Sequence, residues 1–348
     1  MPLRNDLGVA FHTVREINVS AIREEAERSV AIPCFGAQAL YARANVLLRE
    51  QGDPPVAPGT PNPLLQRPLT TAAVDDWRLP ADMALVLLDT RTLPTGAEVA
   101  ALARLAELSL PTTLVLVGNA RSGEYRPSHS RLANAHMITL PALDAPSARD
   151  SLAAAIFERL PADKHLAAAR ALPGLRHVYA NELISSVSFA NASYALASAI
   201  PEQIPLLAAP LAVADIIVLT KNQALMVYRL ALAHGAAPDD YARLAELIPV
   251  IGGGFVWRQI ARTAVSLAPL WGIVPKVAIA YAGTYVTGFA AWHWFVNRER
   301  LSAEHLRELS AEAMQRGREY AQSLVESWSQ RKAVPAPRRE NPGEARRS

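Results

Sequence analysis

The chain is poor in the residues that usually mark a site. It has one cysteine, Cys34, so no disulfide can form within it, which suits a reducing, cytosolic side. Its eight histidines are scattered, with no spacing that suggests a metal site, and no G-x-S-x-G elbow occurs. Charged residues make up only 19% of the chain, against about 25% in ordinary domains. Aromatics are 6%, although half the residues are hydrophobic, so the apolar content is Ala, Leu, Val and Ile. That composition points to helices and to much buried or lipid-facing surface. The start of the chain lacks a basic-then-apolar signal pattern, and nothing in it marks the chain for secretion.

The pI near 9.1 misleads. Residues 331–348 hold six Lys/Arg and two Glu, a local +4, and the other 330 residues hold 29 basic and 30 acidic side chains, a net −1. The basicity belongs to a Pro/Arg/Glu tail with no apolar periodicity, which reads as a disordered, solvated terminus or a contact for anionic lipid. No nucleic-acid footprint is visible.

What is present is an α/β rhythm followed by helices. Residues 1–28 carry an amphipathic helical pattern. Val30–Phe35 reads as a strand leading through Gly36 into a helix over Gln38–Glu50. Six prolines between 51 and 71 exclude a regular helix or a central strand there and predict a long loop or an extended remnant. Ala84–Leu88, Thr112–Val117 and His136–Leu140 read as buried strands, alternating with helices over Thr95–Leu108 and Ser147–Leu160. Thr95 with Glu98 forms a capping box. This predicts a mostly parallel sheet covered on both faces, over residues 29–164. Beyond 165 the segments 165–200, 203–235, 238–247, 254–268, 276–297 and 302–330 read as helices. The expected divisions are a hydrophobic helical domain over 165–300, a charged amphipathic helix over 301–330 and the tail.

Ligands of such sheets sit beyond the carboxyl ends of the strands. A phosphate loop there needs G-x-x-x-x-G-K-[ST], whose backbone N–H groups wrap the phosphates. The chain has Cys34-Phe35-Gly36-Ala37-Gln38-Ala39-Leu40-Tyr41: one glycine, with no Lys or Ser/Thr in place. Asp89 ends the next strand and is a Mg²⁺ ligand or, better, the start of a turn. Gly118-Asn119 follows the third strand without the acid a guanine pocket requires. Cys34 reads as a small buried residue rather than a nucleophile.

In the helical half, Val277–Val296 runs twenty residues without a charge, long enough at 1.5 Å per residue to cross a ~30 Å bilayer core. Lys276 and Arg298 flank it, Trp292, Trp294 and Phe295 resemble an interfacial belt, and Ala280, Thr284 and Gly288 form a small-residue stripe. The expectation is membrane insertion or tight association, by spans or by a hairpin over 255–296. The competing expectation is a helical domain whose inner helices are apolar all round, consistent with a mean hydropathy of only +0.09. Asp215, Asn222 and Arg229 fall on one helix face at i, i+7 and i+14, with Lys276, Arg258 or Arg262 as expected partners for Asp215.

Taken together, residues 29–160 resemble an Era/Der-type GTPase domain by strand order. Residues 170–300 resemble the GTPase-associated (YcjF-like) hydrophobic domain of unknown function that often follows such GTPases in bacteria. The stretches carrying the second resemblance are Ala214–Leu230 (ADIIVLTKNQALMVYRL, which includes Lys221), Val250–Arg258 (VIGGGFVWR) and Pro275–Tyr285 (PKVAIAYAGTY). The resemblance implies GTP binding where the family's loops are intact. Here Gly36, Asp89 and Asn119 are remnants of those loops. The expectation is a pseudo-GTPase at the cytoplasmic face of the cell membrane, without a cofactor, acting as a scaffold or regulator of a partner GTPase or as a homo-oligomer. The alternatives are an active GTP-binding protein with unorthodox loops, and a transporter component, for which intramembrane polar residues are too few.

Overall fold

The computed structural model describes residues 18–50, 54–76, 80–118, 135–199, 208–240 and 273–333. The sequence-predicted helix at 254–268, the remainder of those at 1–28 and 238–247, and residues 334–348 of the basic tail lie outside them.

Five strands build one all-parallel sheet: β1 (Ile32–Gly36), β2 (Leu64–Arg67), β3 (Ala84–Asp89), β4 (Thr112–Val117) and β5 (His136–Leu140). Their order is β2-β1-β3-β4-β5. The chain therefore winds outward to β2, crosses back over β1 and continues to β5, which puts the switch point between β1 and β3. β3 and β4 run in register from Ala84 opposite Thr112 to Asp89 opposite Val117. Their runs ALVLL and TTLVLV are buried on both faces, as continuous apolar strands of a covered sheet must be.

The helices follow the winding. α2 (Gln38–Asn45) and α5 (Ala148–Phe157) lie on one face, burying Leu40, Ala44, Leu152 and Ile156 against Ile32, Leu85, Leu87 and Val115. α3 (Thr71–Asp75) and α4 (Gly96–Glu107) lie on the other, where Val74, Leu102 and Leu105 meet Phe35, Val86 and Leu116. α4 starts at the expected capping box: Glu98 N donates to Thr95 Oγ1 at 3.3 Å, and Thr95 N donates to Glu98 Oε2 at 2.7 Å.

Two local features sharpen or change the expectation. The proline-rich segment holds an extended element, the edge strand β2, and ends where α3 begins. β2 fits in the four-residue, proline-free window between Pro63 and Pro68, and it is an edge strand, where a flanking proline costs no ladder bond. The helix expected over 38–50 widens into a π turn at Val46–Glu50. That turn buries Leu47 and Leu48 and lies against a 3₁₀ turn, Pro173–Leu175.

The helical part comprises α1 (Ser20–Glu27), α6 (His165–Ala171), α7 (Arg176–Ala199), α8 (Ala208–Ala233), α9 (Ile273–Asn297) and α10 (Ala303–Ala333). α9 is central, packed on α7, α8 and α10. One cluster of buried side chains runs without a break from Ile32 and Leu87 of the sheet to Leu166, Tyr179, Tyr228 and Phe295 of the helices. The α/β and helical halves thus share a core.

The membrane-spanning expectation for 277–296 is corrected by this packing. Among the described residues no helix is long and apolar enough to cross a membrane. Val277, Ala278, Ala282, Val286 and Ala291 are buried against neighbouring helices, and Tyr281, Thr284, Thr287 and His293 lower the apolar content of the run. The aromatic belt points inward: Phe295 stacks on His234, and Trp292 and Trp294 pack against the core. The small-residue stripe does mark close packing. A Cβ on Gly288 would lie 2.8 Å from Ile184 Cγ1 and 2.9 Å from Met226 Cε.

Candidate functional site

The carboxyl edge of the sheet is the place to look first, and its described residues pack closely on one another; residues 119–134, after β4, lie outside them. Gly36 ends β1 with φ +147°, and a Cβ there would lie 2.5 Å from the Leu87 carbonyl oxygen. Only glycine lets β1 approach β3 so closely. A single residue, Ala37, then separates Gly36 from α2. A loop that wraps a phosphate needs several residues between strand and helix, so its backbone N–H groups cannot ring an anion at this joint.

At the end of β3, Asp89 begins a turn. Its Oδ1 accepts from Arg91 N at 3.0 Å, and its carboxylate holds the Arg91 guanidinium at 2.9, 3.1 and 2.5 Å. Those hydrogen bonds from Arg91 hold the Asp89 carboxyl down at about 2. Thr90 completes the turn, with its N and Oγ1 both donating to the Val117 carbonyl, at 2.9 and 3.1 Å. Gly118 closes the next strand end with φ +130°, and a Cβ there would lie 2.4 Å from Thr90 Oγ1. Asn119 lies outside the described residues. Cys34, beside this edge, is 1% exposed, and burial pushes its thiol up to about 12, far from a thiolate.

The polar residues singled out in the helical half go to separate joints. Asn222 joins a buried amide–hydroxyl network between α7, α8 and α9. Its Nδ2 donates to Asn191 Oδ1 at 2.7 Å, and Asn191 Nδ2 donates to Thr284 Oγ1 at 2.8 Å. Gln223 Nε2 also donates to Thr284 Oγ1, at 3.2 Å, and that hydroxyl donates to the Ala280 carbonyl at 2.8 Å. Lys276 Nζ donates to Ser198 Oγ at 3.2 Å. Arg229 turns to the N-terminal helix and grips Glu25 at 2.6 and 2.7 Å. Beside this pair sits the Tyr179 phenol, which burial pushes up to about 12. Lys221 is exposed. Arg258, Arg262 and the Asp215 side chain lie outside the described residues.

Sequence reasoning missed Asn191, Gln223 and Glu25. The signal for Asn191 was the Ser/Asn content of the otherwise uncharged stretch 183–201. No local signal links Glu25 to Arg229, 204 residues away.

This network is a specificity device for helix packing: every member named has a partner, and three helices meet in one register around it. Thr284→Val is expected to cost about 2 kcal/mol, because it leaves the Asn191 and Gln223 amides buried without their acceptor. Thr284→Ser keeps the hydroxyl and should cost about 1 kcal/mol, for a lost methyl. Denaturant unfolding of the two variants checks this, and equal losses would refute the role given to the hydroxyl.

Among the described residues no three His, Cys, Asp or Glu side chains gather as metal ligands. His136–Glu158 and His177–Asp150, at 3.0 and 3.1 Å, are pairs between neighbouring elements.

Fold and edge together define a doubly wound α/β protein whose sheet shares its core with a helical layer. In comparisons with known proteins, no family model, no curated protein and no solved structure matches the chain.

Proposed function

We propose that the protein is a non-catalytic, membrane-associated scaffold, a pseudo-GTPase that regulates a partner GTPase. The observation that carries the reading is the one-residue joint between Gly36 and α2, which leaves no room for a phosphate-wrapping loop. The capture of Asp89 by Arg91 supports it, since the carboxylate that could serve a cation is already engaged. The 2-1-3-4-5 order hosts many functions, so the reading rests on the loops and on the sequence resemblance rather than on the fold. Attachment is peripheral, at the cytoplasmic face, in keeping with the burial of α9 among its neighbours.

Two measurements on one preparation test the reading. Membranes from cells making the tagged full chain are divided, one portion being washed with carbonate and the other solubilised in mild detergent. Carbonate should release the protein, and pull-down from gently solubilised membranes should recover a GTPase whose labelled-GTP binding the eluate retains. The purified chain should bind no labelled GTP at micromolar nucleotide. Stoichiometric binding by the chain alone would return it to the active GTP-binding class, and recovery of no GTPase would remove the regulatory role.

A further inference from the structure

Away from the sheet, the helical layer ends in an exposed surface without charge. α7 closes, and α8 and α9 begin, at the same end. Asn222 of α8 meets Asn191 of α7, Gln223 meets Thr284 of α9, and Lys276 near the start of α9 reaches Ser198 near the close of α7. The sheet lies at the other end, where His177 of α7 pairs with Asp150 and Phe295 of α9 joins the main core. At the far end a smaller cluster remains, Ala192, Val277, Tyr281 and Ala321, with Leu196, Val274 and Leu324 only half-buried around it.

The outer face of α7 sets this end apart. Residues Leu183–Ala199 include no charged side chain. Ser186, Phe189, Ala190, Ser193 and Ala197 follow one another along one side of the helix and are exposed. Phe189 is 40% exposed, its ring held 4.6 Å from that of Tyr320 and 5.2 Å from that of Tyr281. A helix face that meets only water carries charge at most turns, as α10 does with exposed Glu308, Glu312, Arg316 and Glu319. On the neighbouring α8, Ile217, Val218 and Leu219 are successive and all half-buried, so apolar surface shows on more than one side of that helix before exposed Lys221. α10 passes this end at Leu324 and runs on to Ala333. From Arg331 onward the chain holds six Lys/Arg and two Glu. The main concentration of positive charge in the sequence therefore starts from the end that carries the uncharged face.

Resting on the membrane attachment read above, we propose that the outer face of α7 and the start of α8 lie on an anionic bilayer, with Phe189 at the headgroup boundary. Charge selects lipid as the occupant: the basic segment complements the negative surface of such a bilayer, and the face beside it has no charge to desolvate. Apolar contact and electrostatic attraction add in interfacial binding, so a modest patch and a basic segment suffice together. No span is needed, and α9 stays packed among α7, α8 and α10.

The test uses the purified full chain. Its native thiol, Cys34, is 1% exposed, so Ala197→Cys takes a polarity-sensitive dye at one position. Ala97→Cys, exposed on α4, is the control. With vesicles of phosphatidylcholine holding about a third phosphatidylserine, the dye at position 197 should shift to the blue and the dye at position 97 should not. Phe189→Glu and Ala190→Glu should each weaken vesicle sedimentation about tenfold. Leu93→Glu, at a side chain 77% exposed before α4, should leave it unchanged. Wild-type sedimentation should be lost on phosphatidylcholine alone, and binding that ignores the anionic lipid would overturn the assignment. No sedimentation of the wild-type chain on either vesicle would remove the membrane attachment itself. Sedimentation that both glutamate variants keep, or equal dye shifts at 197 and 97, would overturn this surface and leave the attachment standing. Loss of self-association in the glutamate variants with unchanged sedimentation would give the face to a second copy of the chain instead. If Phe189→Glu lowers stability through its lost ring contacts, Ala190→Glu decides.

Discussion

Gly174→Ala is expected to destabilise the protein by about 3 kcal/mol, the upper end of what overpacking a tight interior site costs. Gly174 lies in the 3₁₀ turn Pro173–Leu175, where the helical layer meets the π turn after α2. An alanine Cβ would lie 2.7 Å from Leu48 Cα, 2.8 Å from the Leu47 oxygen and 3.0 Å from the Leu48 oxygen. These are backbone atoms, so no rotamer change relieves the clash, and the turn itself must move. That turn carries Leu47 and Leu48, 7% and 0% exposed, into the shared core. It also carries Arg49, which donates to the Thr60, Pro61 and Ala171 carbonyls at 2.6, 3.0 and 3.3 Å. A shift at one atom therefore loosens both the β1–β2 connection and the end of α6. Gly96→Ala is the control, since nothing lies within 4 Å of its Cβ position. Thermal and denaturant unfolding compare the two, and a Gly174→Ala loss no larger than the Gly96→Ala one would refute the account.

The contrast between these two glycines also shows what a sequence can and cannot carry. Pro173-Gly174 reads locally as a helix break, which it is, but the reason glycine is needed lies 126 residues earlier in the chain, at Leu48. The strand at 112–117 was legible to the residue because a covered parallel strand writes a continuous apolar run. The bounds of 136–140 were legible too, but not its burial: β5 is an edge strand with Met137 exposed and only Leu140 buried, where a buried strand was expected. β2 was not legible, because an edge strand beside prolines has neither the length nor the pattern. The twenty-residue uncharged run in α9 reads the same whether its neighbours are lipid or other helices, and only the positions of Asn191, Gln223 and Met226 around it decide. At the carboxyl edge the loss of a phosphate motif was visible in the letters after Gly36. The Asp89–Arg91 clasp was visible only as a turn. The single face drawn through Asp215, Asn222 and Arg229 divides in space, because Asn222 meets α7 and Arg229 meets α1.

The other large effect should come with acid. His234 ends α8 with 4% of its surface exposed, its Nδ1 at 2.8 Å from the Leu230 carbonyl and its ring stacked on Phe295. Nε2 has no hydrogen-bond partner among the described residues. Nδ1 therefore carries the proton and donates it to Leu230, and a second proton would have to sit on Nε2, buried and unpaired. Burial lowers the imidazole from 6.5 to about 4, and the nearby Arg176 and Arg298 push in the same direction, against the Leu230 hydrogen bond. The folded pKa is thus the depressed one, so between about 4 and 6.5 the unfolded chain binds the proton that the folded chain refuses. The stability tied to neutral His234 is complete above pH 6.5 and is lost as pH falls toward 4. At 1.36 kcal/mol per tenfold in proton affinity the total is about 3 kcal/mol, most of it gone by pH ~4.5. The depressed Asp89 carboxyl adds its own loss only below 3.8, so the two windows separate. His234→Leu keeps the backbone hydrogen bond from residue 234 to the Leu230 carbonyl and removes the titrating ring. Denaturant midpoints of wild type should fall steeply between pH 6.5 and 4.5, and those of His234→Leu should stay nearly flat. An unchanged slope in the variant would mean that the acid sensitivity belongs to other groups and that the packing around Phe295 tolerates the charged ring.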